Sequence, residues 1–280
     1  MRVSNQMTHR MLTDSIMKNQ AAVYRKEEQI SSGKRIQRAS DAPAAWARIN
    51  QLRGRQAELE QYGRNAQLAE SRLLAADQAL DQMGELLRQA SAIAVQASDG
   101  TLAGPGRAAL AADVDALLEQ FVAVANRPSD EGYLFGGVSS AAEPFEATRN
   151  AAGQIGSVAY TGAAASAPVE IAAGEAVPAQ LAGDGVVSGD AFAALAEMRD
   201  RLQAGENLAE SGLQPRVDAA FEETLVARAA VGANLEHLSF AESLRINRQA
   251  ALAEDLSATE GVDMAQAVTE ISEKQTAYEA

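Results

Sequence analysis

PAAWARINQLRGRQAELEQYGRNAQLAESRLLAADQALDQMGELLRQASAIAVQAS runs from Pro43 to Ser98 with no proline after its first residue. Stepping alternately by three and four from Leu52 meets Arg55, Leu59, Tyr62, Ala66, Ala69, Leu73, Ala76, Leu80, Met83, Leu87, Ala90, Ala94 and Ala97, and only Arg55 breaks the seam. A 3.5-residue repeat held over so many turns keeps one stripe facing a partner helix, whereas a strand would need a period of two. At 1.5 Å of rise per residue the segment would be roughly 80 Å long, more than the width of a compact domain of this size. The expectation is a rod of long helices packed against one another.

Working outward, Ser40-Asp41-Ala42-Pro43 reads as the start of this helix, with a side-chain oxygen to cap and proline in the first turn. Ser31-Ser32-Gly33 breaks the chain before it, and Asp99-Gly100 with Gly104-Pro105-Gly106 ends it. Arg107 to Arg127 carries a second heptad, Leu110, Val114, Leu117, Phe121 and Val124, and the short connection makes it antiparallel to the first. From Gly132 to about Gly189 the period changes to short runs between glycines: Tyr133-Leu134-Phe135, Val158-Ala159-Tyr160-Thr161, Val169-Glu170-Ile171 and Val186-Val187. These read as strands of a small inserted β element. Helices return with Phe192, Leu195, Met198 and Leu202, then a third long helix from about Pro215 to Leu256 through Val217, Phe221, Leu225, Val231, Leu235 and Leu238. After Gly261 a terminal heptad, Met264, Val268, Ile271, Gln275 and Tyr278, runs to Ala280 without a capping residue and reads as a shortened helix.

At the other end, residues 1–30 form a weak amphipathic helix with Met7, Met11, Met17, Ala21 and Tyr24 on one side, interrupted by Asp14. So thin an apolar face repays little of the ordering cost of about 1 to 2 kcal/mol per residue, so this arm is expected to be helical only beside a partner.

The net charge of −14 hides an asymmetry. Residues 1–64 hold 12 Lys and Arg against 6 Asp and Glu, or +6, and the remainder holds 12 against 32, or −20. A basic head on an acidic body suits nucleic acid, an acidic surface on other copies of the chain, or plain solvation. Aromatic residues make up only 4%, and alanine dominates the apolar share, as suits close helix packing. With no cysteine, disulfides, thiolate zinc sites and thiol catalysis are excluded. No apolar run reaches 18 residues, so no membrane insertion is expected, and MRVSNQMTHRMLTDSIMKNQ lacks the apolar core of a secretory signal peptide.

The search for chemistry finds none. His9 and His237, the only histidines, lie in different elements. Gly33-Lys34 would need glycine five positions before Gly33 to be a phosphate loop, and that residue is Glu28. Asp184 and Asp190 lack the alternating acidic run of a calcium loop, and Glu222-Glu223 diverge by about 100° on a helix. Lys34, Arg35, Arg38, Arg48, Arg53 and Arg55 cluster, but only Trp46 among them could stack on a base. The expectation is no enzyme, no cofactor, no metal and no nucleic acid.

MRVSNQM (1–7), QISSGKRIQRASDAPAAWARI (29–49), the long heptad helix and EGYLFGGVSSAAEPF (131–145) together resemble the bacterial flagellin-like axial proteins, and among them the hook-associated protein 3 group of the hook–filament junction. The SSG break followed by a basic run is shared with filament flagellin. The resemblance covers essentially the whole chain and implies a mainly α, flagellin-like fold, an elongated antiparallel rod with a small β-rich outer insertion. It divides the chain into 1–42 and 258–280, an inner assembly domain that orders on polymerisation, 43–137 and 190–257, the rod, and 138–189, the outer domain. It also implies secretion through the flagellar type III export channel to an extracellular site. The implied partners are the first hook-associated junction protein, flagellin, copies of itself in a ring, and an export chaperone. The polymer interface is then expected at Met7, Met11, Met17, Tyr24, Met264, Val268, Ile271 and Tyr278. The rod core is expected at Leu73, Leu80, Leu87, Leu110, Leu117, Phe121, Leu225 and Leu235. Filament flagellin is the close alternative, and an intracellular coiled-coil scaffold with a basic nucleic-acid arm the distant one.

Overall fold

A computed structural model describes residues 2–100, 103–129, 132–138 and 142–279, with side chains from Met7 to Thr276 apart from Ala167. Six α-helices and six short strands follow one another: α1 (Arg2–Ser32), α2 (Pro43–Ala97), α3 (Gly104–Ala125), β1 (Pro128–Ser129), β2 (Gly132–Tyr133), β3 (Phe145–Arg149), β4 (Ile155–Tyr160), β5 (Ala167–Ala172), β6 (Glu175–Gln180), α4 (Gly189–Gln203), α5 (Leu213–Glu260) and α6 (Met264–Glu279). The fold is mainly α, with three separate two-stranded antiparallel sheets. Two compact units emerge, one of residues 1–60 with 245–280 and one of residues 61–244, and both α2 and α5 contribute to each.

The 61–244 unit holds a continuous apolar core. Every seam position of α2 from Ala66 to Ala97 is buried: Ala66, Ala69, Leu73, Ala76, Leu80, Met83, Leu87, Ala90, Ala94 and Ala97. The alternation of alanine with larger residues lets helices approach closely without voids. α3 contributes Leu110, Val114, Leu117, Leu118 and Phe121, and α4 packs against it with Phe192, Leu195, Met198 and Leu202. Ser188 caps α4 by accepting from the Asp190 amide. α5 adds Val217, Ala220, Val231 and Leu238, its Phe221 ring facing Gly84 of α2.

The β segment grafts onto the α3–α4 pair through an aromatic cluster. Phe121 meets Phe192 edge-on at 5.0 Å between ring centres, Phe145 lies 5.3 Å from Phe192, and Tyr160 lies 5.2 Å from Phe145. Asn126, just past α3, donates to the Phe145 carbonyl at 2.7 Å and accepts from its amide at 2.9 Å. Its side-chain amide thereby replaces a neighbouring strand. The Tyr160 hydroxyl accepts from the Gly183 amide at 3.0 Å and lies 2.9 Å from the Ala163 carbonyl. Burial pushes its pKa above the usual phenol value. Gly137 adopts φ +62°, and a Cβ there would sit 2.1 Å from the Ala163 carbonyl oxygen. The second glycine of the YLFGG stretch is therefore required by both its dihedral and its crowding.

Three local expectations need correction. Only Tyr133 of Tyr133-Leu134-Phe135 is in a strand; Leu134 and Phe135 turn inward and are buried, because the aromatic floor draws them down. Val186-Val187 is no strand but follows a 3₁₀ turn at Gly183–Gly185, with the Val187 amide donating to Gly183 at 2.9 Å. β3 and β6 were not legible as strands, since FEATR and EAVPAQ are polar or proline-broken and gain their order by pairing with β4 and β5.

The other unit is thinly packed. Its buried apolar side chains among the described residues are Ile36, Ile49, Leu52 and Ala267. α1 runs as a continuous helix and packs against α6, so the arm finds within the chain the partner its thin face requires. Gly33 ends α1 in the left-handed region at φ +68°.

Candidate functional site

The candidate site is the exposed apolar surface of the 1–60 and 245–280 unit. Its rigid part is the corner between Gly33 and Arg53. Here the chain leaves α1 and is pinned to the end of α5. The Arg35 amide donates to the Glu260 carbonyl at 2.6 Å, the Val262 amide donates to the Gly33 carbonyl at 3.1 Å, and Lys34 forms an antiparallel bridge with Gly261. The buried Glu260 carboxylate receives Arg53 at 2.6 Å and Lys34 at 3.1 Å. A buried carboxylate flanked by two cations is satisfied; lacking both, it would be costly. Arg35 donates to the Thr259 carbonyl at 3.1 Å, Arg48 lies 3.9 Å from Asp255, and the Arg53 guanidinium sits 5.8 Å from the Trp46 ring centre. The basic run thus meets acidic and carbonyl oxygens of its own chain, which removes the main sequence argument for a nucleic-acid arm. Asp41 accepts from the amides of Gln37 and Arg38 rather than capping α2 downstream, because the turn preceding the helix folds back over its carboxylate.

Its second part is the α1–α6 pair. The side of α1 shielded by α6 carries Asn19, Ala22, Val23, Lys26, Gln29 and Ile30, and Lys26 meets Glu270 at 2.5 Å. That hydrogen bond holds the Glu270 carboxyl below its ordinary pKa. Met7, Met11, Met17 and Tyr24 are 59 to 63% exposed, and Leu12 and Ile16 are exposed with them. They do not form one stripe. At about 100° per residue, Met7 and Met11 fall about 40° apart, Met17 and Tyr24 share another face, and Leu12 and Ile16 a third. Large apolar side chains on three faces of an otherwise polar helix are left without cover inside the chain.

On α6 the half-buried positions are Glu270, Ile271 and Lys274 beside buried Ala267. Met264 is 48% and Val268 56% exposed, so the intramolecular seam runs one residue out of phase with the expected heptad. The physical reason is that Ala267 permits close approach to α1 where Val268 would not. The Tyr278 side chain lies outside the described residues.

Of the expected rod-core residues, Leu73, Leu80, Leu87, Leu110, Leu117 and Phe121 are buried, and Leu235 is half-buried against the core. Leu225 is a correction: it is 40% exposed. Stepping four from Phe221 overshoots the seam, which passes instead through Thr224, whose hydroxyl is satisfied by donating to the Ala220 carbonyl at 2.9 Å. A polar residue disguised the buried position.

Sequence reasoning also missed Arg199. Its side chain is fully buried, with Nη1 3.0 Å from Asp115 and 2.6 Å from the Ile155 carbonyl and Nη2 2.7 Å from Asp200. One guanidinium fork thereby joins α3, α4 and β4. Spacing could have flagged it, since Arg199 follows Leu195 by four on the apolar face of α4. Arg216 likewise clamps Asp190 and Glu197 from α5, and these hydrogen bonds hold both carboxyls below their usual range, with Arg201 the larger cause at Glu197. Among the described residues no three His, Asp or Glu side chains gather as a metal site.

A thin helical unit of residues 1–60 with 245–280, and a helical unit of residues 61–244 with a grafted β segment, fit the resemblance read from the motifs. Residues 3–139 match the bacterial flagellin N-terminal helical region. The chain resembles flagellar hook-associated protein 3. It is 32% identical to the Salmonella typhimurium protein of that name over 147 residues, 52% of this chain and 46% of that one. The chain therefore spans about half the length of the curated relative it matches. Helicobacter pylori flagellin B is 36% identical over 105 residues, 38% of this chain and 20% of that protein. By fold, the chain is similar to flagellar hook-associated protein 3 from Legionella pneumophila, with a TM-score of 0.67 at 17% identity, covering 75% of this chain and 98% of that one.

Proposed function

We propose that this chain is a non-catalytic structural subunit of the bacterial flagellum, forming a helical ring at the junction between hook and filament. The observation that carries the reading is α1: it lies within the flagellin N-terminal match and exposes Met7, Met11, Leu12, Ile16, Met17 and Tyr24 on three faces, a surface suited to cover by further helices. Met7, Met11, Met17, Tyr24, Met264, Val268, Ile271 and Tyr278 are assigned to that covering contact. Residues 1–42 and 258–280 act as the inner assembly domain, 43–137 and 190–257 as its support, and 138–189 as the outer domain.

The partners are the first hook-associated junction protein on one side, flagellin on the other, and copies of the chain around the ring. An export chaperone and passage through the flagellar type III channel follow from the same reading, and a chain without cysteine suits passage in unfolded form. Among the described residues no helix is long and apolar enough to cross a membrane. The longer match to hook-associated protein 3 than to flagellin favours the junction over the filament.

The test is electron microscopy of cells lacking the gene, with an assay for flagellin in the medium. Bare hooks with abundant shed flagellin are expected. Intact filaments would refute the junction role, and bare hooks without shed flagellin would identify the chain as the filament subunit.

A further inference from the structure

We propose that Met7, Met11, Met17 and Met264 are oxidation-sensitive positions through which two-electron oxidants, hydrogen peroxide or hypochlorous acid, block assembly while leaving the fold intact; the inference rests on the assembly reading above. The methionines with described side chains fall into two classes. Met83 and Met198 are fully buried in the 61–244 core, whereas Met7, Met11, Met17 and Met264 are 48 to 63% exposed on the terminal helices. No cysteine is present to consume an oxidant first. The partition follows the two units: core methionines fill gaps between packed helices, and terminal ones offer their sulfur to solvent.

The chemistry needs only the oxidant. A thioether sulfur lone pair attacks one peroxide oxygen, the O–O bond breaks, and that oxygen stays on sulfur as a sulfoxide. The other oxygen leaves as water after proton transfer. Sulfur is oxidised by two electrons and the peroxide reduced by two. In the free chain the new S=O group is solvated and touches nothing in either core. In the assembled state the same positions are covered by neighbouring helices, and a strong acceptor without a donor is then buried. Met7 and Met11 on one face of α1, Met17 on another and Met264 on α6 place a sulfoxide in each contact made through those faces.

The test treats the purified full chain with hydrogen peroxide, maps sulfoxides by peptide mass spectrometry, and scores addition to hook ends from cells lacking the protein. The four exposed methionines are expected to oxidise at least about tenfold faster than Met83 and Met198. Addition is expected to fall about tenfold with an unchanged circular-dichroism melt, and to recover after treatment with both sulfoxide reductases and a thiol reductant. Uniform oxidation of all these methionines, or undiminished addition by the oxidised chain, overturns the inference. A chain with Met7→Leu, Met11→Leu, Met17→Leu and Met264→Leu should resist peroxide; inactivation as fast as that of the parent overturns it as well. Met17→Glu separates this inference from its premise. If Met17→Glu adds normally, the assembly role of this face fails; if it is blocked while the oxidised parent adds, only the oxidation step fails.

Discussion

Residues 61–244 and the unit made by residues 1–60 with 245–280 are both helical, yet they are held by different forces. The first buries a seam from Ala66 to Ala97 with Phe121, Phe192 and Leu195 against it, and at about 25 cal/mol per Å² such burial supports a stable core. The second buries Ile36, Ile49, Leu52 and Ala267 and relies on Lys34, Arg53 and Lys26 meeting Glu260 and Glu270. The partly exposed Lys26–Glu270 pair is worth about 0 to 1 kcal/mol, and the pairs at buried Glu260 mainly offset its desolvation, so little apolar burial holds this unit. The lesson is that one part of the chain buries its apolar seam within its own fold, while the other leaves Met7, Met11, Met17 and Tyr24 exposed.

The substitution with the largest expected effect is Leu80→Asp. It places a charge at a fully buried seam position and should abolish the cooperative transition of the 61–244 unit, a loss of more than about 4 kcal/mol. A native melt for this variant would refute the helix register.

Next, Arg199→Ala strands Asp115 and the Ile155 carbonyl and is expected to cost about 3 to 5 kcal/mol, read as a fall in urea midpoint. A cost under about 1 kcal/mol would mean that water reaches the site and that the guanidinium is not what joins α4 to the β segment.

The comparison sharpens with Glu260→Gln in the other unit. Hydrogen exchange should accelerate at the Arg35 and Val262 amides, a loss of about 1 kcal/mol or more locally, while the 61–244 midpoint stays put. Movement of both together would show that the two units unfold as one.

The smallest effect is on pH. Asp190 and Glu197 have depressed carboxyl pKa values in the fold, so their contribution is present above the unfolded pKa of about 4 and is lost as pH falls through the lower folded values. The 61–244 midpoint should therefore drop on acidification below about pH 4, by no more than about 1 kcal/mol because these pairs are largely solvated. Arg216→Met should flatten that drop. An equal acid response in the variant would place the sensitive carboxylates elsewhere.

How much of this could be read in advance varied with the kind of pattern. The α2 seam was legible because ten consecutive heptad positions are apolar and all ten are buried. The α5 seam was misread at Leu225 because Thr224, satisfied by its own helix, occupies the buried position. β3 and β6 were missed because strand order there comes from pairing and from Asn126, neither of which is local. In the candidate site, the exposed side chains were named correctly as apolar, but their arrangement around α1 on several faces, and the shift of the α6 seam onto Ala267, depend on which helix lies alongside.

By itself the sequence determined the helices, their long seams, the break at Gly33, the grafted β segment and the absence of thiol chemistry, since period, turn residues and composition act locally. Only the tertiary structure decided that the basic run is spent on Glu260 and its neighbours, that Arg199 ties three elements together, and that the methionines divide into buried and exposed classes. Those outcomes depend on which distant residues share a few ångströms, and no spacing along a chain encodes that distance.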